Sequence, residues 1–146
     1  MTLEQEVIHY RNMVKLYKFD YLTGMKQRHD FEYETLHKFV GQEFYLTMYD
    51  VTGLHKVNRD RGYDAGDTLI RQVAADIKRT AGLWECYRIG GDEFMAVHFD
   101  APDSYIDNAT SATVCSRDFK LFNDMTASVD LAVTEAKVEL GRRRED

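Results

Sequence analysis

The chain has 146 residues, 44% apolar and 30% charged, the proportions of one soluble domain able to bury a core. A formal charge of -6 argues against a nucleic-acid grip by general basicity, and the absence of a long apolar run argues against a membrane span. The opening MTLEQEVIHY is acidic and amphipathic, unlike a signal peptide, and Cys86 and Cys115 lack metal or redox spacing. A cytoplasmic protein with buried, reduced thiols is expected.

Leu3, Val7, Tyr10, Val14 and Tyr17 are spaced four, three, four, three, an a/d seam over two heptads. Residues 1–18 therefore form a helix that either packs on its own domain or pairs with a second copy. A turn at Thr23-Gly24 precedes a helix expected to bury Phe31, Leu36, Phe39 and Val40. EFYLTMYDV then reads as a strand with Phe44, Leu46 and Met48 on one face, ending near Asp50.

The polar stretch from Thr52 keeps Leu54 and Val57, enough for a short helix. A clear helix follows, with Leu69, Ile70, Val73, Ala74 and Ile77 as its stripe and Gly82 as its stop. LWECYRIGGDEFMAVHF reads as strand, turn, strand, with Gly90 and Gly91 supplying positive φ. The only proline lies in a loop, ATVCS is a weak strand, and residues 123–141 make a last helix before a charged, solvated end. Helices mixed with an antiparallel hairpin predict an α+β fold, helices covering a mostly antiparallel sheet.

The acids of this pattern carry its chemistry. A turn needs glycines but not carboxylates, so Asp92 and Glu93 in Gly-Gly-Asp-Glu are superfluous to the hairpin. An acid at a strand end is usually only solvated, and Asp50 alone would signify little. If its strand neighbours the hairpin, however, Asp50 and Asp92 converge at one sheet edge. Two carboxylates there can hold one or two Mg²⁺ ions against a triphosphate, with Glu93 as a further ligand or a base.

Gly90, Gly91, Asp92, Glu93 and Phe94, with Arg88 two residues ahead, resemble the signature of the GGDEF domain, the catalytic domain of diguanylate cyclases. DYLTGMKQRHDF resembles the family's Asp-x-Leu-Thr-Gly block through Asp20, Leu22, Thr23, Gly24 and Arg28. YDVTGLHKVNRDRGYDAGD resembles its first metal block through Asp50, Asn58, Gly62, Gly66 and Asp67. DLAVTEAK resembles its closing helix through Asp130, Ala132, Ala136 and Lys137. These ordered blocks extend from Phe19 to Arg142, so residues 19–146 are expected to be the catalytic domain.

The resemblance implies a nucleotidyl-cyclase or polymerase palm-like fold with a ferredoxin-like core. It implies that Asp50, Asp92 and the carbonyl of Val51 bind Mg²⁺ or Mn²⁺, with Glu93 completing the acidic centre. Asn58 and Asp67 would read guanine, whose N1 and N2 hydrogens a carboxylate can accept together. The amides of Thr52, Gly53, Leu54 and His55 would meet the phosphates, and Lys137 and Arg142 would neutralise them. The implied reaction joins two GTP into cyclic di-GMP, releasing two pyrophosphates, between two domains of a homodimer, with neither nucleic acid nor membrane as partner.

The chain departs from the family in several places. Ala81 and Trp84 stand where an inhibitory Arg-x-x-Asp pair would fall, so no inhibitory site is expected. Thr52 replaces a usual acid and His55 a usual lysine. Residues 100–113 are too few for the family's helix after the hairpin, which shortens the C-terminal half. The length leaves no room for a sensory segment within these 146 residues, and a minimal protein or a fragment of a larger one is expected. Two other readings stay open: a related palm-type cyclase with another cyclic nucleotide product, as in minimal CRISPR-polymerase relatives, and an inactive GTP-binding regulatory domain. Asn58 and Asp67 oppose an adenine substrate, and the intact acids oppose the inactive form.

Overall fold

The computed structural model describes residues 1–103 and 105–145; the side chains of residues 15–17 and 142–145, including those of Tyr17 and Arg142, lie outside the described residues. Helix α1 (Leu3–Lys18) leads into a short strand β1 (Lys26–Gln27) and helix α2 (Arg28–Tyr33). Strand β2 (Tyr45–Val51) is followed by α3 (Leu54–Arg61) and α4 (Tyr63–Ala81). The hairpin β3 (Cys86–Arg88) and β4 (Glu93–His98), strand β5 (Ala109–Cys115) and helix α5 (Phe122–Glu145) complete the chain.

The five strands lie in the order β1-β3-β4-β2-β5. All neighbours are antiparallel except β1 and β3, which makes the sheet mostly antiparallel, as expected. Alternation along β2 decides what each helix covers. Tyr49 and Val51 face α4 and pack with Ile70, Val73, Ala74 and Ile77. Leu46 and Met48 face the other way, with Met95, Val97 and the Met125, Val129 and Val133 row of α5. Each fully buried aliphatic side chain in these layers contributes about 1.5–3 kcal/mol.

One expectation about side-chain direction fails. The helix after β1 passes into a π turn over Glu34–Lys38, closed by the Phe39 amide donating to the Glu34 carbonyl at 2.9 Å. The wider turn shifts the phase of the stripe. Phe31, Thr35 and Phe39 are buried, whereas Leu36 and Val40 are 46% and 70% exposed. Of the two alternatives for α1, its seam does not take packing on its own domain: Leu3, Val7, Tyr10 and Val14 are all exposed.

The shortened segment behind the hairpin has a geometric explanation. Strands β4 and β5 flank β2 and run the same way, so the chain must return along the sheet between them. That return is about 20 Å at strand rise. Residues 99–108 span it when extended, at roughly 3.3 Å each, but a helix of the same length reaches only ~15 Å. No helix is assigned in this stretch among the described residues. Ile106 pins the connector by entering the core cluster under α4.

Candidate active site

The site forms at one end of β2. Asp50 and Glu93 are directly opposed in the register of β2 and β4, so their side chains share the α5 face. Asp92 sits in the hairpin turn just before β4, and its carbonyl accepts the Val51 amide at 2.9 Å. One carboxylate oxygen from each of Asp50, Asp92 and Glu93 lies within 4.8 Å of the others. Oxygen donors this close suit a hard divalent cation such as Mg²⁺ or Mn²⁺.

The electrostatics agree with that assignment. Burial pushes the Asp50 carboxyl above its ordinary range; a Lys137 hydrogen bond opposes this, and the charge of Asp92 adds to it. Glu93 is also raised, by burial first and then by Asp50, Asp92 and Asp130. Such groups resist sharing negative charge without a counter-ion. Within the protein that counter-ion is Lys137, whose Nζ lies 2.6 Å from Asp50 Oδ2. Helix periodicity delivers it: Met125, Val129, Val133 and Lys137 follow at four-residue spacing, three buried in the core and the fourth reaching the strand end.

The hairpin turn is held from outside the signature. Arg88 Nη1 donates to both carboxylate oxygens of Asp20 at 3.0 and 3.2 Å, and its Nη2 donates to the Gly91 carbonyl at 2.8 Å. Asp20 Oδ2 also accepts the Thr23 amide and hydroxyl, at 2.9 and 2.7 Å. The Asp-x-Leu-Thr-Gly block is thus a clamp on the turn that carries Asp92. Gly90 and Gly91 are not among the glycines of positive φ, contrary to expectation. A Cβ at Gly90 would lie 3.3 Å from a Glu93 carboxylate oxygen, a tight contact that glycine avoids.

A cleft of about 340 Å³ opens beside the acids, lined by Asp50, Asp92, the Thr52–His55 loop, Lys137 and Gly141. The amides of Leu54 and His55 begin α3 and, with that of its N-cap Gly53, have no intrahelical acceptor. Thr52 differs from expectation: its amide already donates to the Asn108 carbonyl at 2.8 Å, and only its side chain is left to the cleft. Asn58 and Asp67 do not line the cleft; they are half-buried on α3 and α4, which Gly62 (φ 86) folds back on each other. Arg142 is carried by α5, with its side chain outside the described residues.

Two contributors escaped the sequence reading. Asp130 on α5 adds a fourth negative charge near Asp50 and Glu93, and only its retention in the closing block marked it. The clamp of Asp20 on Arg88 joins residues far apart in the chain, and nothing short of the fold pairs them.

Residues 17–139 match the family described as "Diguanylate cyclase, GGDEF domain". The coiled coil and GGDEF domain of DgcB from Caulobacter crescentus, in complex with c-di-GMP, superposes with a TM-score of 0.78 at 19% identity, covering 94% of this chain and 89% of that one. Vibrio cholerae LapD (S helix-GGDEF-EAL, bound to c-di-GMP) gives 0.74 at 14% identity, over 94% of this chain and 38% of that one. Diguanylate cyclase SiaD of Pseudomonas aeruginosa, in complex with its activator SiaC, gives 0.68 at 20% identity, over 93% and 65%. At these identities the likeness establishes the fold. A Staphylococcus saprophyticus protein described as an uncharacterized membrane protein is 32% identical over 105 residues, 65% of this chain and 30% of that protein's length. No helix among the described residues is long and apolar enough to cross a membrane. With the profile spanning most of the chain and the acids assembled at the strand end, this protein belongs to the GGDEF-domain family of diguanylate cyclases.

Proposed function

We propose that the protein is an active diguanylate cyclase, condensing two GTP into cyclic di-GMP and two pyrophosphates. The observation that carries this is the convergence of Asp50, Asp92 and Glu93 within 4.8 Å beside a cleft that also holds a cationic side chain. A binding-only domain has no need of three acids forced together against their own desolvation and repulsion.

In this reading Asp50, Asp92 and the Val51 carbonyl hold Mg²⁺ or Mn²⁺. When bound, the metal polarises the α-phosphate and lowers the pKa of a ribose 3'-hydroxyl. Glu93, with its raised carboxyl, receives the hydroxyl proton as that oxygen bonds to the α-phosphorus of the other GTP. The bond from phosphorus to the pyrophosphate oxygen breaks, and the second half-reaction repeats this with the roles exchanged. The Gly53, Leu54 and His55 amides and Lys137, with Arg142, hold the phosphates, while Asn58 and Asp67 select guanine. Each domain binds one GTP, so two must face each other, and the exposed α1 seam supports pairing of two copies in the cytoplasm.

Thr52 favours one other reading, an inactive GTP-binding domain, because a phosphate-facing amide is consumed by Asn108. Incubation with each nucleoside triphosphate and Mg²⁺ or Mn²⁺, with products identified by mass spectrometry, separates the cases. Cyclic di-GMP from GTP, abolished in Asp92→Ala and rising more than linearly with protein concentration, is expected. Binding of GTP without turnover at any concentration would leave the inactive reading, and an adenine-containing product would point to a different cyclase.

A further inference from the structure

Gly66 lies buried in α4, one residue before Asp67, with a helical backbone outside the positive-φ region. Conformation therefore does not require glycine there, and a helix-interior glycine is less stable than alanine. Space does require it. A Cβ on Gly66 would sit 1.7 Å from Asn58 Oδ1, 2.8 Å from Asn58 Cγ and 3.3 Å from Leu54 Cδ1. The main chain of Asn58 is fixed nearby: its carbonyl accepts the Gly62 amide at 3.0 Å, and the Gly62 carbonyl accepts the Gly66 amide at 3.2 Å. The Asn58 amide group thus occupies the space that a side chain at position 66 would need.

We propose that Gly66 sets the base selectivity of the site, as a positioning residue that holds the Asn58 amide against α4 beside Asp67. This rests on the reading that Asn58 and Asp67 recognise guanine. Guanine presents an acceptor at O6 and donors at N1 and N2, whereas adenine presents a donor at N6. Only guanine offers N1 and N2 hydrogens together to the Asp67 carboxylate, and an amide held beside that carboxylate adds its own contact to the base so selected. A methyl group at position 66 must expel that amide or spread α3 from α4, since the clash is with Asn58 itself. Gly66 touches no substrate; it acts through Asn58.

The test measures GTP and ATP binding, and melting temperature, for the wild type, Gly66→Ala, Asn58→Ala and the double variant. Gly66→Ala is expected to weaken GTP binding about five- to tenfold, as for one lost hydrogen-bonding group, with ATP binding unchanged. The double variant should bind GTP no more weakly than Asn58→Ala alone, because both changes remove one contact. It should also melt above Gly66→Ala, because truncating Asn58 makes room for the methyl. That melting comparison decides the matter even if Gly66→Ala folds poorly. Multiplying GTP losses, a double variant melting no higher than Gly66→Ala, or wild-type GTP affinity in Gly66→Ala would overturn the proposal. If Asn58→Ala itself leaves GTP binding unchanged, the guanine-site reading fails and this inference falls with it.

Discussion

Replacing Lys137 with methionine keeps most of the side-chain length and apolar stem while removing the one cation within contact of Asp50 among the described residues. Breaking a fully buried ion pair costs about 3–5 kcal/mol, and an exposed pair is worth at most about 1. Here Asp50 is 7% exposed but Lys137 is 46% exposed, so solvent screens half of the interaction. A loss of roughly 1–2 kcal/mol follows, or about 3–6 °C in melting temperature for a domain of this size. The sign depends on pH. Burial and neighbouring acids already raise the Asp50 carboxyl above 3.8, and removing Lys137 takes away both influences that lower it. A carboxyl raised on folding costs stability once pH exceeds its unfolded value, and the cost is complete above its folded value. The variant should therefore melt lower than wild type at pH 7.5, with the gap closing in acid as Asp50 takes up a proton. Without nucleotide, Mg²⁺ no longer competes with an ammonium group for Asp50, so its apparent affinity should rise by up to about five- to thirtyfold. GTP turnover should fall, because the same lysine is assigned to the phosphates. Melting curves with and without Mg²⁺ at two pH values, together with Mg²⁺ titrations, give the result. Equal melting at pH 7.5 and unchanged Mg²⁺ affinity would refute the idea that Lys137 serves as the resident counter-ion.

Three further outcomes are expected. The raised Asp50 and Glu93 carboxyls make Mg²⁺ stabilise the wild type most at neutral pH. Its effect on melting temperature should shrink as pH falls toward their ordinary values of 3.8 and 4.5, and a pH-independent gain would contradict a carboxylate site. Arg88→Met strands the Asp20 carboxylate and frees the Gly91 carbonyl, so it should cost about 2 kcal/mol in chemical denaturation and weaken Mg²⁺ binding, although Arg88 touches no acid of the site. Ile106→Ala should cost about 2–4 kcal/mol, read by the same denaturation, because the connector has this buried anchor under α4. A loss below 1 kcal/mol would mean that the connector is not held by its core contact.

The local elements were legible wherever one face is strongly apolar. The stripe of α4, the alternation of β2 and the acids in the hairpin turn are set by short-range pattern, and the structure keeps all of them. The same approach misplaced Leu36 and Val40, because a π turn is not written in hydrophobic spacing. It assigned positive φ to Gly90 and Gly91, which neither adopts; a Cβ at Gly90 would crowd the Glu93 carboxylate, whereas one at Gly91 would meet open space. It also left the Thr52 amide to a phosphate, when a β5-edge residue far along the chain had taken it.

By itself the sequence determined which residues could act: the acids, the glycines around them, the cation on the last helix and the period of each element. Only the tertiary structure decided which of them meet. Register between β2 and β4 sets Asp50 opposite Glu93, the packing of α5 carries Lys137 to the same carboxylate, and Asp20 reaches Arg88 across 68 positions. Those pairings depend on sheet order and helix placement, which emerge from burying both faces of one sheet at once and not from any local run of residues.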